Sequence, residues 1–288
     1  MLPRSRLFTI TTAVSALALA CYLAALAVFC QFTLHVPRIP PATPRGTAWQ
    51  TASIRAFDGA PLEGWFVRPA VPNGNCVIVL HGIGDSRQGS AGYAAMFLDQ
   101  GYSVLLPDSR GHGASGGELV TYGLLEKYDV RDWARWLRQH DCQALYGLGE
   151  SLGGSILIQA VALGEDFHAI VAECAFADLQ AIAESRVQQI FHVTPWFLVS
   201  NSMTFARYRY GLDLRQVSPI DSMRRTSTPT LLIHGLADSR TPYWHSQALA
   251  RANRQSALWL VPNAEHTQAY AAAPNEFRRR VLGWFAGH

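Results

Sequence analysis

The sequence predicts an α/β protein built on a mostly parallel, doubly wound sheet, and three observations carry that reading. Six short, nearly continuous apolar runs (76–80, 103–106, 144–148, 169–174, 229–233 and 258–261) have the composition of parallel strands buried on both faces. Helical patterns separate most of them, and such alternation places helices on both sides of one sheet. One run leads straight into Gly149-Glu150-Ser151-Leu152-Gly153 and then into an apolar helix at 152–163. That is the context of a serine held on a sharp strand-to-helix turn.

The N-terminal segment, 1–34, reads as a signal anchor. No charge falls between Leu7 and Phe32, and Arg4 and Arg6 stand in front. The run exceeds the roughly 20 apolar residues that span a bilayer and is long for a cleaved signal. Ala18-Leu19-Ala20-Cys21 fits a lipoprotein cleavage site poorly, because the apolar run continues past the cysteine. The positive-inside rule puts Arg4 and Arg6 in the cytoplasm and the rest of the chain on the extracytoplasmic side, although Arg38 and Arg45 dilute the asymmetry. Residues 35–47 carry Pro37, Pro40, Pro41 and Pro44, a stiff spacer expected to lift the following domain off the membrane.

The domain itself is expected at 48–288. The 288-residue chain is 49% apolar, and the part left after the N-terminal segment supports one substantial core rather than two small ones. Segments 48–56 and 62–68 alternate apolar and polar residues around Asp58-Gly59, an antiparallel hairpin. Helices are expected at 93–100, at 125–138 with Val130, Trp133 and Leu137 on one face, at 244–251 and at 276–285. The loop 106–117 has the glycines of a phosphate loop but no G-K-S/T, so Asp108 and Arg110 are read as loop braces. Residues at about 177–225, rich in aromatics and arginine, form too long a connection between strands to be a plain loop and are expected to cap the site.

Composition excludes some classes. A net charge of +3 with scattered basic residues leaves no nucleic-acid footprint, and five cysteines without C-x-x-C give neither a zinc nor a redox motif. Nothing in the sequence fixes an oligomeric state.

The chemistry centres on Ser151. A serine hydroxyl is a poor nucleophile at neutral pH and needs a base, which in turn needs a carboxylate to orient it. Downstream acids that follow a strand are Asp178 and Asp238; Asp238 closes the run LLIHGLAD, whereas Asp178 suits a helix cap. Of ten histidines, His266 alone lies in a loop between the last strand and the last helix. His234 reads as structural and His245 as a weaker alternative base. The oxyanion donors are expected to be the backbone N–H groups of Leu152, next to the serine, and Ile83, in the loop His81-Gly82-Ile83-Gly84. His81 reads as a brace.

These motifs together resemble the α/β-hydrolase superfamily, and within it stand-alone serine hydrolases related to the prolyl-oligopeptidase catalytic domain and membrane-anchored homologues. The resemblance runs from about residue 50 to 286 through DGAPLEGWFVRP, HGIGDS, LLPDSRGHGASGG, GESLGG, HGLADSRTP and the loop ending at His266. It implies the α/β-hydrolase fold and the triad Ser151, Asp238 and His266, with no metal or cofactor. Where peptidase members usually carry an aromatic or methionine after the serine, this elbow has Leu152. If the family's strand order holds, the strands starting at Cys76 and Cys142 are neighbours, and an oxidising compartment would bridge the two cysteines. The alternative is that both are ordinary buried cysteines, with Cys174 a third.

The expected activity is hydrolysis of a small-molecule or lipid carboxylic ester by a membrane-anchored enzyme. Peptidase, amidase or thioesterase chemistry with the same triad is the alternative within enzymes. A non-catalytic binding protein on the same fold is the alternative of another class.

Overall fold

The computed structural model describes residues 4–42, 49–164, 167–192 and 196–288. Its strands are β1 (Gln50–Arg55), β2 (Pro61–Val67), β3 (Asn75–Leu80), β4 (Ser103–Pro107), β5 (Ala144–Glu150), β6 (Phe167–Glu173), β7 (Thr230–Gly235) and β8 (Ser256–Val261). The helices are α1 (Arg4–Leu34), α2 (Ala94–Leu98), α3 (Glu126–Arg138), α4 (Leu152–Val161), α5 (Leu179–Phe191), α6 (Trp196–Tyr210), α7 (Pro219–Arg225), α8 (Trp244–Ala252), α9 (Ala269–Ala272) and α10 (Pro274–Ala286). The strands form one sheet in the order β1-β2-β4-β3-β5-β6-β7-β8. Hairpin β1–β2 is antiparallel and β2 pairs antiparallel with β4; every pairing from β4 through β8 is parallel. This is the α/β-hydrolase architecture that the sequence predicts.

Two-residue periodicity divides the core. Along β3, Cys76, Ile78 and Leu80 face one layer with Trp133 and Leu137 of α3 and Ile156 of α4. Val77 and Val79 face the other, with Phe97 of α2 and Phe277, Val281 and Phe285 of α10. Strands buried on both sides must be apolar throughout, which is why the runs were readable. The predicted helix at 93–100 is shorter, a 3₁₀ turn at Gly89–Tyr93 leading into α2.

Because β3 and β5 are adjacent, Cys76 and Cys142 meet. They form a disulfide with their Cα atoms 5.6 Å apart, and Cys174 is buried with a free thiol.

Helices α5, α6 and α7 fill the connection between β6 and β7. The N-terminal helix does not stand clear of them. Leu26, Cys30 and Leu34, one turn apart, are buried, and α1 packs along α6. The Tyr122 hydroxyl donates to Thr33 O at 2.7 Å, and Val120 N donates to Leu34 O at 2.8 Å.

The proline-rich stretch also departs from expectation. Rather than holding the domain at a distance, its first part lies on it. Arg38 donates to the carbonyls of Ser115 and Gly117, and Ala42 N donates to Gln88 Oε1 at 2.8 Å. Stiff extended backbone leaves its polar groups to be satisfied elsewhere, and here they find the domain surface. Pro44, Arg45 and Thr47, with Ala48 at the start of the expected hairpin, lie outside the described residues.

Closing a loop of 66 residues, the disulfide should contribute about 2–4 kcal/mol. A Cys76→Ala/Cys142→Ala chain is expected to unfold earlier by that margin in denaturant titration, and the native chain to lose the same margin under reductant. A double variant within about 0.5 kcal/mol of the native chain, the range of neutral changes, would show that the bridge does not form.

Candidate active site

Strand β5 ends and α4 begins at a single strained residue. Ser151 adopts φ 52° and ψ −114°, a region that costs a non-glycine residue on the order of 1–3 kcal/mol. The surroundings hold it there. Its amide donates to Glu173 O at 2.7 Å. A Cβ at Gly153 would stand 2.4 Å from Leu80 O, and one at Gly149 would stand 2.5 Å from the Gly153 backbone. Both flanking positions therefore need glycine for close approach rather than for their own φ. The hydroxyl is lifted out of the sheet, and Leu152 becomes the first residue of α4, with an N–H that the helix cannot satisfy.

His266 receives that hydroxyl. Its Nε2 lies 2.8 Å from Ser151 Oγ, and its Nδ1 lies 2.7 Å from Asp238 Oδ2. Three side chains from the β5–α4 turn, the loop after β7 and the loop after β8 thus form one continuous hydrogen-bonded chain. The geometry assigns the tautomer: Nδ1–H donates to the carboxylate and Nε2 accepts from the serine.

Asp238 is held on every side. Its Oδ1 accepts from the amides of Arg240 and Thr241, each at 2.8 Å, and Oδ2 also lies 3.2 Å from His234 Nε2. Burial by itself would raise its pKa. Hydrogen bonds from His234, His266 and the Thr241 amide outweigh that, holding the carboxyl well below the usual carboxylate range. His234 is thus a second partner of the acid, fixed in turn by Ser246 Oγ at 2.6 Å. The structural part expected for it holds, since Nε2 also lies 2.7 Å from Thr241 O and both ring nitrogens have partners. Its place in the LLIHGLAD run, four residues before Asp238, was the signal available.

The other candidates fall elsewhere. Asp178 caps α5, accepting from Ala181 N at 2.9 Å, outside the chain of three. His245 is buried in α8, where its Nδ1 accepts from Ala177 N at 3.1 Å; burial lowers its pKa to about 4. His81 is buried as well. Its ring bridges Gly82 O at 2.7 Å and Ser109 N at 3.0 Å, and burial, then the neighbouring His112, push it down to about 4. His112 Nε2 accepts from Gly84 N at 3.1 Å, so two neutral imidazoles brace the loop that carries Ile83. Asp108 accepts from Arg87 N and Ala114 N, each at 2.7 Å, while Arg110 pairs with Asp58 and Asp129. The glycine-rich loop is braced from within.

One group behind the elbow escaped notice in the sequence. Tyr93 Oη lies 3.2 Å from both Glu150 Oε2 and Glu173 Oε2, and Glu173 Oε1 accepts from Ala269 N at 2.9 Å. Burial raises both carboxyls to about 7. A phenol has one proton to donate, so a second proton on a carboxyl satisfies the bridge. Through its carbonyl and its carboxyl, Glu173 ties the serine turn to the segment that follows His266. A carboxylate closing a buried apolar strand was the clue.

Among the described residues, Cys174, Asp238 and His266 are the group of ligand-type atoms close enough to share an ion, within 4.8 Å of one another. A metal there would have to break the His266–Asp238 bond. It would also need the thiolate of Cys174, whose pKa burial raises well above normal. The donor set suits proton transfer better than metal coordination.

Above Ser151 lies a cavity of about 360 Å³, within the roughly 300–1,000 Å³ of ordinary small-molecule sites. Its walls are mostly apolar, with Arg186, Ser202, Arg240 and Thr241 among the polar exceptions. Helix α5 supplies a stripe at helical spacing (Leu179, Ile182, Val187, Ile190), α6 supplies Val199 and Met203, and Ile83 borders the serine. The last turns of α1 supply Phe29, Cys30, Thr33 and Leu34.

The comparisons agree with this arrangement. A sequence profile of the prolyl oligopeptidase family matches residues 88–288. The chain is 31% identical over 242 residues to the uncharacterized protein YqkD of Bacillus subtilis, covering 82% of this chain and 77% of that one. It is 28% identical over 246 residues to the uncharacterized protein YfhR of Escherichia coli, with coverage of 81% and 80%. Among solved structures, an esterase of Pyrococcus furiosus superposes with a TM-score of 0.71 at 21% identity, over 87% of this chain and 98% of the esterase. The acylaminoacyl peptidase of Pyrococcus horikoshii superposes with a TM-score of 0.62 at 18% identity, over 84% of this chain and 42% of the peptidase. At such identities the structures speak for the fold alone. The profile, spanning more than half of the chain, establishes that the chain belongs to the prolyl oligopeptidase family of α/β serine hydrolases.

Proposed function

We propose that the protein is a membrane-anchored carboxylic ester hydrolase working through Ser151, His266 and Asp238. The observation that carries the reading is the position of His266, within 2.8 Å of a strained serine hydroxyl and 2.7 Å of a buried carboxylate. Ser151 Oγ attacks the acyl carbon while His266 Nε2 takes its proton. The tetrahedral oxyanion accepts hydrogen bonds from the N–H groups of Ile83 and Leu152. The C–O bond to the alcohol then breaks as His266 returns the proton to the leaving oxygen, leaving an acyl-serine. Water, deprotonated by the same imidazole, releases the acid and regenerates the hydroxyl. Asp238 stays ionised throughout, stabilising the imidazolium and keeping the ring oriented.

An ester is favoured over a peptide because the cavity is lined by aliphatic and aromatic side chains. Its polar lining, chiefly Arg186, Ser202, Arg240 and Thr241, is sparse beside the repeating polar groups of a peptide backbone, most of which would enter unpaired. Helices α5 and α6, with the α7 segment, act as the cap. Helix α1 acts as an uncleaved signal anchor: its docked end is a wall of the cavity, which removal of the leader would open. An extracytoplasmic location is supported by Arg4 and Arg6 ahead of the span and by the Cys76–Cys142 bridge, which an oxidising compartment maintains.

A fluorophosphonate probe should label the native chain and fail to label Ser151→Ala, read by gel fluorescence; labelling that persists in the variant would refute the nucleophile. The carboxylates separate by kinetics. Asp238→Asn should lower kcat on a soluble ester by about 10³–10⁴. Asp178→Ala should leave kcat within about threefold and cost roughly 1 kcal/mol of stability as a lost helix cap. Exchange of the two outcomes would overturn the assignment of the acid. A matched panel of esters, thioesters and anilides of one acyl group tests the bond cleaved, with esters expected to give the highest kcat/KM.

A further inference from the structure

The N-terminal helix is too long to be only an anchor. The apolar stretch Phe8–Leu34 rises about 40 Å at 1.5 Å per residue, against roughly 30 Å of hydrocarbon in a bilayer. The excess coincides with the part that docks. Residues 8–25 are exposed around the helix, Tyr22 alone being half-buried, and they cover about 27 Å, close to one bilayer core. From Leu26 onward the helix enters the domain, and its inner face meets the cavity above Ser151.

The partner helix shows which end of the cavity faces lipid. Near the start of α6, Asn201 Nδ2 donates to Tyr22 Oη at 2.5 Å; further along, Cys30 Sγ contacts Ser202 O at 3.4 Å, and Tyr210 stacks edge-on against His35. Helix α6 therefore runs alongside α1 in the same direction, with Asn201 beside Tyr22 of the exposed apolar part and Tyr210 beside His35 past its end. The C-terminal end of α5, a few residues earlier in the chain, falls on that side too. There Ile190 and Phe191, which line the cavity, are 58% and 61% exposed. Two large apolar side chains left open in water at a cavity rim are costly, and against acyl chains they are not.

We propose that α1 is a wall of the acyl-binding site and that the substrate is a single-chain acyl ester drawn from the bilayer. Its chain passes between α1 and the α5–α6 corner to reach Ser151. This rests on the hydrolase reading above. The acyl chain lies among Phe29, Thr33, Val187 and Met203, with its carbonyl at the serine and its far end toward Ile190 and Phe191. Phe29 and Thr33 set the chain length accepted, although they belong to the anchor.

The test uses the full chain in vesicles of phosphatidylcholine and phosphatidylglycerol, with p-nitrophenyl acetate and p-nitrophenyl laurate as substrates. Thr33→Trp should lower the laurate-to-acetate rate ratio by about tenfold or more, the effect of overfilling a packed site. Phe29→Ala, which enlarges the cavity, should raise the laurate-to-acetate rate ratio. Leu17→Trp, on the exposed part of the helix, should leave the ratio within about twofold, as surface changes do. The laurate rate should follow its mole fraction in the vesicles rather than its bulk concentration. Fluorophosphonate labelling of Ser151 tracks the intact site in each variant. Should Thr33→Trp lose labelling through misfolding, Phe29→Ala decides the question. Labelled variants with the native chain-length profile, or a laurate rate that follows bulk concentration, would overturn the proposal. Absence of labelling in the native chain would instead refute the hydrolase reading itself.

Discussion

The left-handed backbone at Ser151 is the constraint on which the site depends. A serine with φ of 52° is unfavourable by itself, so the structure around it must make the alternative worse. It does so by crowding. Gly149 and Gly153 leave no room for a side chain between β5, β3 and α4, and the Ser151 amide is bonded to β6 through Glu173 O. The turn is therefore fixed by three elements at once, and the direction of the hydroxyl follows from the backbone rather than from a side-chain choice. Glu173 extends that control. Its carbonyl holds the serine turn and its carboxyl holds Ala269, three residues beyond His266, so one buried residue keeps both ends of the 2.8 Å contact in register.

Much of this was legible in the sequence because burial on both faces leaves little freedom of composition. Strands such as Val77-Ile78-Val79 cannot be mistaken, and the adjacency of the strands starting at Cys76 and Cys142 followed from the resemblance those motifs carried. Ser151, Asp238 and His266 stood out because each sits where a strand gives way to a loop, at the sheet edge where side chains from distant segments converge. The neighbouring strands β3 and β5 also brought Cys76 to Cys142. What could not be read were contacts between elements far apart in the chain. His234 on Asp238, and Tyr93 between two glutamates, depend on side-chain placement that no local pattern encodes. The docking of α1 was hidden for a different reason. An all-apolar helix has no polar face to betray which side is packed, so Phe29 and Thr33 look like any other membrane residues.

The docked helix changes what an anchor means for this fold. A flexible tether would let the domain sample many orientations above a membrane, with substrate arriving from water. Here Leu26, Cys30 and Leu34 are buried against the domain and Arg38 is bonded to the loop beyond it, so the end of α1 and the domain form one packed unit. Each large apolar side chain buried in this way stabilises by roughly 1.5–3 kcal/mol, enough in combination to make a detached helix rare. If α1 spans a bilayer as proposed, the orientation of the cavity relative to that bilayer is set by packing rather than by diffusion.

That rigidity also bears on chemistry. Ester cleavage at Ser151 gains from a dry cavity, because the hydrogen bonds that receive the oxyanion strengthen as water is excluded. An apolar chain held between α1, α5 and α6 would expel that water on entry, and the same helices would release a fatty acid back toward the lipid from which its chain came. A soluble cap alone would have to bury the rim residues Ile190 and Phe191 to achieve this. On the anchored reading proposed above, α1 is the third wall and those side chains stay open because lipid would cover them. On the proposed reading, fold, anchor and substrate route all follow from a single packing arrangement around the serine.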